Sequence, residues 1–282
     1  ITELKLLLTG NLTETIKFKA VKLIADNYFD IEDYKNAEKY YLDIADVEIP
    51  DFKNDEVLGK LGVCYLKQKK LGLVETLIKA MAVKYHNLYN YNFMLFQYCN
   101  YLTDKNKKEY YLNEIIKNNQ SSELQNGALY SLALINFDNK QYHTSITNLK
   151  KISADAKFDN DKYYMLALNF YCLGEYSNSN NYLKKIKDTK YFESDKTNKL
   201  FVLNYYNLKE YSNVLKYAGL LTEAEKADRI FYQASADFYL DNYDSVVKEL
   251  DSYLTDYPLS EKFNDAAYLC AVATYKINDF SR

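Results

Sequence analysis

An all-α solenoid of helical hairpins is the fold class this sequence predicts, and three observations predict it. The first is a phrase that recurs along the chain: Glu32-Asp33-Tyr34-Lys35-Asn36-Ala37, Lys140-Gln141-Tyr142, Gly174-Glu175-Tyr176-Ser177-Asn178-Ser179, Lys209-Glu210-Tyr211-Ser212-Asn213-Val214, Asp241-Asn242-Tyr243-Asp244-Ser245-Val246 and Asn278-Asp279-Phe280-Ser281. With weaker copies at Leu71 and Asn106, its key positions are 34, 71, 106, 142, 176, 211, 243 and 280, in steps of 32 to 37 residues. A period of that length marks repeats, each a supersecondary unit that buries its apolar face against its neighbours. The second observation is a shortage of turn formers, two Pro and seven Gly in 282 residues. A β-rich chain needs many more of both, so long helices with short connections are favoured. The third is helical periodicity: Tyr163, Leu166, Ala167 and Phe170 fall at i, i+3, i+4 and i+7, and Tyr176, Ser179, Leu183 and Ile186 form a second such stripe. Only Leu173-Gly174-Glu175 separates the two stripes, which makes their helices antiparallel neighbours.

Taken in order, residues 1–17 (Ile1, Leu4, Leu7 and Leu8, then Gly10-Asn11) read as a cap or the remnant of a preceding helix. Residues 18–282 hold eight units starting near 18, 55, 90, 126, 160, 195, 227 and 264. The first carries Ile24-Ala25, Tyr28, Tyr34, Ala37 and Tyr41, and the second Leu61-Gly62 and Tyr65. The third, about 90–120, is degenerate at both signature slots. The seventh runs from Phe231-Tyr232-Gln233-Ala234 to Tyr257-Pro258, and the eighth breaks off as its second helix begins. One slot where the two helices of a unit meet holds Ala25, Gly62, Gln97, Ala133, Ala167, Val202, Ala234 and Ala271, mostly small because two backbones approach closely there. The chain starts at Ile1 and its last apolar face lacks a partner, so it is expected to be a piece of a longer array.

These features together resemble the tetratricopeptide repeat: a bulky residue, Leu-Gly/Ala, an aromatic, a Gly-Asp/Glu-Tyr turn, a small residue and paired hydrophobics. The resemblance covers roughly residues 18 to 282 and implies a right-handed superhelix whose inner wall is lined by the first helix of each unit. It implies protein–protein interaction rather than catalysis. The seventh unit is similar to repeats of bacterial envelope proteins, which points to a bacterial multiprotein assembly of the envelope, secretion or motility type and favours the periplasm over the cytoplasm.

Composition narrows the function classes. Net charge is −3, and the Lys-rich stretches 67–70, 105–108 and 184–187 fall near expected helix C-termini, where lysine complements the helix dipole. No basic stripe suggests nucleic acid as a partner, and no apolar run reaches the ~20 residues of a membrane span. Cys64, Cys99, Cys172 and Cys270 lie too far apart for a metal or disulfide framework and read as buried small hydrophobes. His86 and His143 lack metal or nucleophile spacing, and the acid pairs Asp159/Asp161 and Glu223/Glu225 suit helix starts. No catalytic, cofactor or metal residues are therefore assigned.

Given the implied inner wall, the candidate binding groove is aromatic: Tyr98, Tyr101, Tyr130, Phe137, Tyr164, Tyr171, Tyr206, Phe231, Phe238, Tyr268 and Tyr275. Tyrosine combines large area, few rotors and a hydroxyl, as binding hot spots require. The expected ligand is an apolar or amphipathic segment of a partner protein. The competing readings are inter-repeat packing of these rings, or a scaffold acting through loops such as Asp46–Phe52, the convex face and the array ends. The lysine–asparagine–arginine clamp of tetratricopeptide co-chaperones is not expected, since of Lys22, Asp26, Gly59, Val63, Met94 and Tyr98 only Lys22 suits a carboxylate.

Overall fold

The computed structural model describes residues 1–47, 54–118, 121–153, 156–187 and 189–277. Most of the loop 46–52 and the last phrase, 278–281, lie outside the described residues. Every regular element among the described residues is helical. In chain order they are α1 (Thr2–Leu7), α2 (Glu14–Asp30), α3 (Tyr34–Leu42), α4 (Asn54–Lys67), α5 (Leu71–Tyr85), α6 (Tyr89–Cys99), α7 (Lys105–Asn118), α8 (Ser122–Asp138) and α9 (Tyr142–Lys151). They continue with α10 (Ala156–Cys172), α11 (Tyr176–Leu183), a single turn α12 (Thr189–Phe192), α13 (Asp195–Asn207), α14 (Tyr211–Ala218), α15 (Lys226–Tyr239), α16 (Tyr243–Asp256) and α17 (Phe263–Ile277). The expected alternation of first and second helices is present throughout. The turn α12 and a 3₁₀ turn at Glu223–Glu225 fill connections the repeat phrase does not describe.

The chain divides into two compact units, Ile1–Ile135 with Lys150–Ser153, and Asn136–Leu149 with Ala154–Arg282. In the first, α3 packs on α2 and α4, and α6 on α4, α5 and α7, around Tyr41, Ile44, Met81, Met94, Leu95, Tyr98, Leu112 and Ile115. In the second, α14 packs on α13 and α15, and α16 on α15 and α17. Its centre is a three-ring stack: Phe201 lies 4.3 Å from Tyr217, and Tyr217 lies 5.5 Å from Tyr205, all nearly parallel. Three cysteines are buried as expected. Cys172 is exposed, because it is the last residue of α10 and its side chain leaves the packed stripe.

The recurring phrase encodes one hairpin turn. Glu32, Lys69, Lys140, Gly174, Lys209 and Asp241 all have positive φ, 59° to 76°, two residues before a second helix begins. In each, the next N–H donates to the carbonyl five residues back: Asp33 to Tyr28, Lys70 to Tyr65, Gln141 to Asn136, Glu175 to Phe170, Glu210 to Tyr205 and Asn242 to Asp237, at 2.8–2.9 Å. This is the Schellman closure, which satisfies the last carbonyls of the first helix and reverses the chain. The Glu-Tyr-Ser-Asn wording has a local reason too. The asparagine amide donates to the acid three residues earlier, Asn36 to Asp33, Asn178 to Glu175 and Asn213 to Glu210, placing a satisfied negative charge at the helix start.

The third repeat departs from this pattern and needs a correction. Counting back from Asn106 puts Gln97 in the small slot, but α6 ends at Cys99 and a longer connection precedes α7, so Met94 occupies it. Met94 is fully buried. It fits because α4 has glycine opposite: a Cβ at Gly62 would lie 2.0 Å from the Met94 sulfur. Two more glycines make room for the same helix. A Cβ on Gly59 would meet Asn90, and one on Gly127 of α8 would meet Phe96, each at 2.9 Å.

Two outcomes follow. Gly174→Ala places its methyl in open space yet forces an L-residue to φ +76°, so urea unfolding should show a loss of about 1 kcal/mol with no change in the near-UV spectrum. Gly62→Ala overpacks Met94 and should cost about 1–3 kcal/mol, and Met94→Ala about 2–5. The double variant should cost clearly less than the sum, and strict additivity would show that the two residues do not share the space.

Candidate functional site

The candidate site is the row of first helices, so each aromatic is followed from its helix outward. In five repeats the residue one before the end of the first helix is aromatic and meets the aromatic that opens the second. Phe29 lies 5.6 Å from Tyr34, Phe137 5.6 Å from Tyr142, Tyr171 5.7 Å from Tyr176, Tyr206 6.4 Å from Tyr211 and Phe238 5.7 Å from Tyr243, mostly edge to face. One side of each ring thus clasps its own hairpin, and the ring stays half-buried. In the third repeat this position is Tyr98 rather than Tyr101, for the register reason given above. Tyr98 is only 1% exposed, and its hydroxyl donates to Glu75, which Lys107 pairs at 2.6 Å.

The remaining candidates differ in exposure. Tyr101 and Tyr130 in the first unit, and Phe137, Tyr164, Tyr171, Tyr206 and Phe238 in the second, are half-buried. Phe231 is 4% exposed and belongs to the core. Tyr268 and Tyr275 on α17 are 68% exposed, and Ala271 between them is exposed although Ala25, Ala133, Ala167, Val202 and Ala234 in the same slot are fully buried.

Charged rungs join successive first helices, and these were not anticipated. The residue eight positions before one helix end meets the residue eleven before the next helix end. Lys22 of α2 pairs with Glu56 of α4 at 2.9 Å, and Lys199 of α13 with Asp228 of α15 at 2.6 Å. Tyr164 of α10 occupies the same slot and is covered by Lys196 of α13, 5.0 Å from its ring centre and 3.7 Å from that of Tyr191. Lys60 and Lys22 both pair with Asp26, which also accepts from the Tyr41 hydroxyl at 2.6 Å. Lys22, the one clamp-like residue, is thereby engaged by two carboxylates. In the second unit Lys199 also pairs with Glu225 at 2.8 Å, and Asp228 with Lys262 at 2.6 Å. Two lysines and two acids leave that floor without net charge.

A tyrosine cluster lies beside this floor. Tyr206 packs 5.4 Å from Tyr232, and Tyr211 stacks 4.6 Å from Tyr239. Burial first, then the neighbouring phenols Tyr239, Tyr211 and Tyr232, push the Tyr206 hydroxyl up to about 12, so it stays protonated and a hydrogen-bond donor. His86 and His143 are exposed, at the end of α5 and the start of α9. Among the described residues no group of three His, Cys, Asp or Glu side chains is placed to hold a metal ion, and no helix is long and apolar enough to cross a membrane.

The rungs carry a pH consequence. Burial alone would raise the Asp228 carboxyl, but hydrogen bonds from Lys199 and Lys262 outweigh it and hold it below its ordinary 3.8. Asp26 is lowered in the same way, against its burial, by Lys22, Lys60 and Tyr41. A carboxyl depressed in the folded state contributes stability that is present above the unfolded pKa and disappears as pH falls through the folded one. Urea midpoints should therefore decline below about pH 4, and Asp228→Asn should flatten that decline while lowering stability at neutral pH.

With the geometry in hand, comparison with known proteins speaks to the fold. No family model matches the chain, and no curated protein matches it. Among solved structures, a tetratricopeptide repeat protein from Parabacteroides merdae ATCC 43184 is 13% identical and superimposes with a TM-score of 0.52, over 91% of this chain and 98% of that one. The tetratricopeptide-repeat domain of P58(IPK) is 14% identical, with a TM-score of 0.32 over 94% of this chain and 84% of that one. The succession of helical hairpins among the described residues and the superposition on the Parabacteroides merdae protein agree: the chain has the fold of a tetratricopeptide-repeat helical solenoid.

Proposed function

We propose that this chain is a non-enzymatic protein-binding module, and that the first-helix row of its second unit takes an apolar or amphipathic segment of a partner protein. The observation that carries this reading is the combination of half-exposed rings at one repeated slot, Tyr171, Tyr206 and Phe238, with a floor whose charges neutralise one another. Such a surface offers contact area and hydroxyl donors without demanding a charged ligand. The similarity of the seventh repeat to those of bacterial envelope proteins supports a bacterial multiprotein assembly as its setting. A second reading is a scaffold whose contact is the exposed face of α17 at Tyr268, Ala271 and Tyr275.

The two readings separate by mutation. A partner recovered with the wild-type protein from the source cell should be lost, by tenfold or more, with Tyr171→Ala/Tyr206→Ala and retained with Tyr268→Ser/Tyr275→Ser, the fold of both variants being checked by circular dichroism. The reverse pattern assigns the contact to α17 and makes the chain a scaffold.

A further inference from the structure

One cleft of the second unit is built mainly by second helices rather than by the first-helix row. Where α13 packs on both α11 and α14, the three enclose a space of about 420 Å³. That volume lies in the small-molecule range, and at ~30 Å³ per water it equals about fourteen waters. Its walls carry Asn180 of α11, Lys184 at the end of that helix, Tyr205 of α13, and Lys216 and Tyr217 of α14. Glu210 stands at the turn between α13 and α14.

Three of these side chains are set into the core yet keep unused donors. Tyr205 and Tyr217 are 6% and 8% exposed, with their rings stacked 5.5 Å apart. Among the described residues neither hydroxyl has a hydrogen-bond partner, and neither is sealed from the cleft. A nearly buried hydroxyl normally has a partner, so two left open on one cleft call for a ligand. Burial first, then Tyr205 beside it, raises the Tyr217 hydroxyl above its ordinary 10, so it stays protonated and can donate. Asn180 is 4% exposed, and its Oδ1 already accepts from the Asn204 amide at 2.9 Å, which leaves its N–H groups to offer.

Charge narrows the ligand class. Lys184 and Lys216 are exposed at the rim, and neither pairs with a carboxylate among the described residues. Glu210 is the one acid on these walls; its Oε2 accepts from Asn213 at 2.8 Å, which leaves Oε1 for a ligand hydroxyl. Two ammonium groups, two phenols and an amide ask for more acceptors than a carboxylate carries. A phosphate ester brings three terminal oxygens and about −1.5 to −2 charge at pH 7. The space exceeds a phosphate ion and leaves room for the group that bears it.

We infer that this cleft binds a phosphorylated polyol of about monosaccharide size, its phosphate held by Lys184, Lys216 and the two phenols and a hydroxyl donating to Glu210.

Calorimetric titration of the full chain tests this with glucose 6-phosphate, ribose 5-phosphate and glycerol 3-phosphate, and with glucose and inorganic phosphate as the separated halves. At least one ester should bind at one site per chain, tenfold or more tighter than glucose or inorganic phosphate. Lys184→Gln/Lys216→Gln, which alters only exposed side chains, should weaken it tenfold or more. Tyr217→Phe, which keeps the stacked ring and removes the donor, should weaken it about 3–10-fold. Four results overturn the inference: no ester binds, glucose binds as well as its phosphate, inorganic phosphate binds as well as the esters, or the lysine pair makes no difference.

Discussion

A backbone that enters the left-handed region at the turn of six of the hairpins sets the geometry on which the other features depend. Five of the six residues that do so are not glycine, and an L-residue there costs roughly 1 kcal/mol. Each turn offsets that cost locally. The Schellman bonds satisfy carbonyls that would otherwise be orphaned, and the aromatic clasp at the helix end holds the reversal in one shape. Because the turn fixes which way the second helix leaves, it also fixes where small residues meet and which face of the first helix remains for partners.

The repeat was legible because this turn writes itself into consecutive residues. A left-handed residue, an acid or amide, an aromatic and an asparagine three residues past the acid have local roles, so their spacing survives while the rest drifts. The third repeat was harder to read because its turn lacks the left-handed residue, and counting from Asn106 displaced the register by three residues, from Met94 to Gln97. Long-range pairings were hidden for the same physical reason. Nothing near Lys199 announces Asp228, and Asn204, whose amide reaches Ser179 and Asn180 at 2.8 and 2.9 Å, reads as surface until α11 is placed beside α13. Candidate aromatics were visible as a column, but their exposure was not. The sequence pattern alone does not distinguish Phe231, inside the core, from Tyr268, in water.

Aromatic rings and charges divide the labour within the second unit. Rings close hairpins and form the three-membered stack of Phe201, Tyr217 and Tyr205, interactions that need no partner outside the unit. Ion pairs run between successive first helices and set their mutual register. Partly exposed pairs contribute little to stability individually, but a lysine shared between two acids disfavours slippage, since a shifted helix would leave a half-buried charge unpaired.

The three glycines that face α6 bear on how such an array changes over generations. Arrays of this kind are often regarded as strings of exchangeable modules, lengthened or shortened by duplicating or deleting whole repeats. Here the large residues of one helix are matched by missing side chains on the helices before and after it. Deleting the third repeat would bring a glycine-faced helix against a neighbour shaped for something else and leave a void. Inserting a copy elsewhere would press Met94 against an alanine. The second, third and fourth repeats are therefore packed as a single block, and recombination that respects repeat boundaries would still lose this fit.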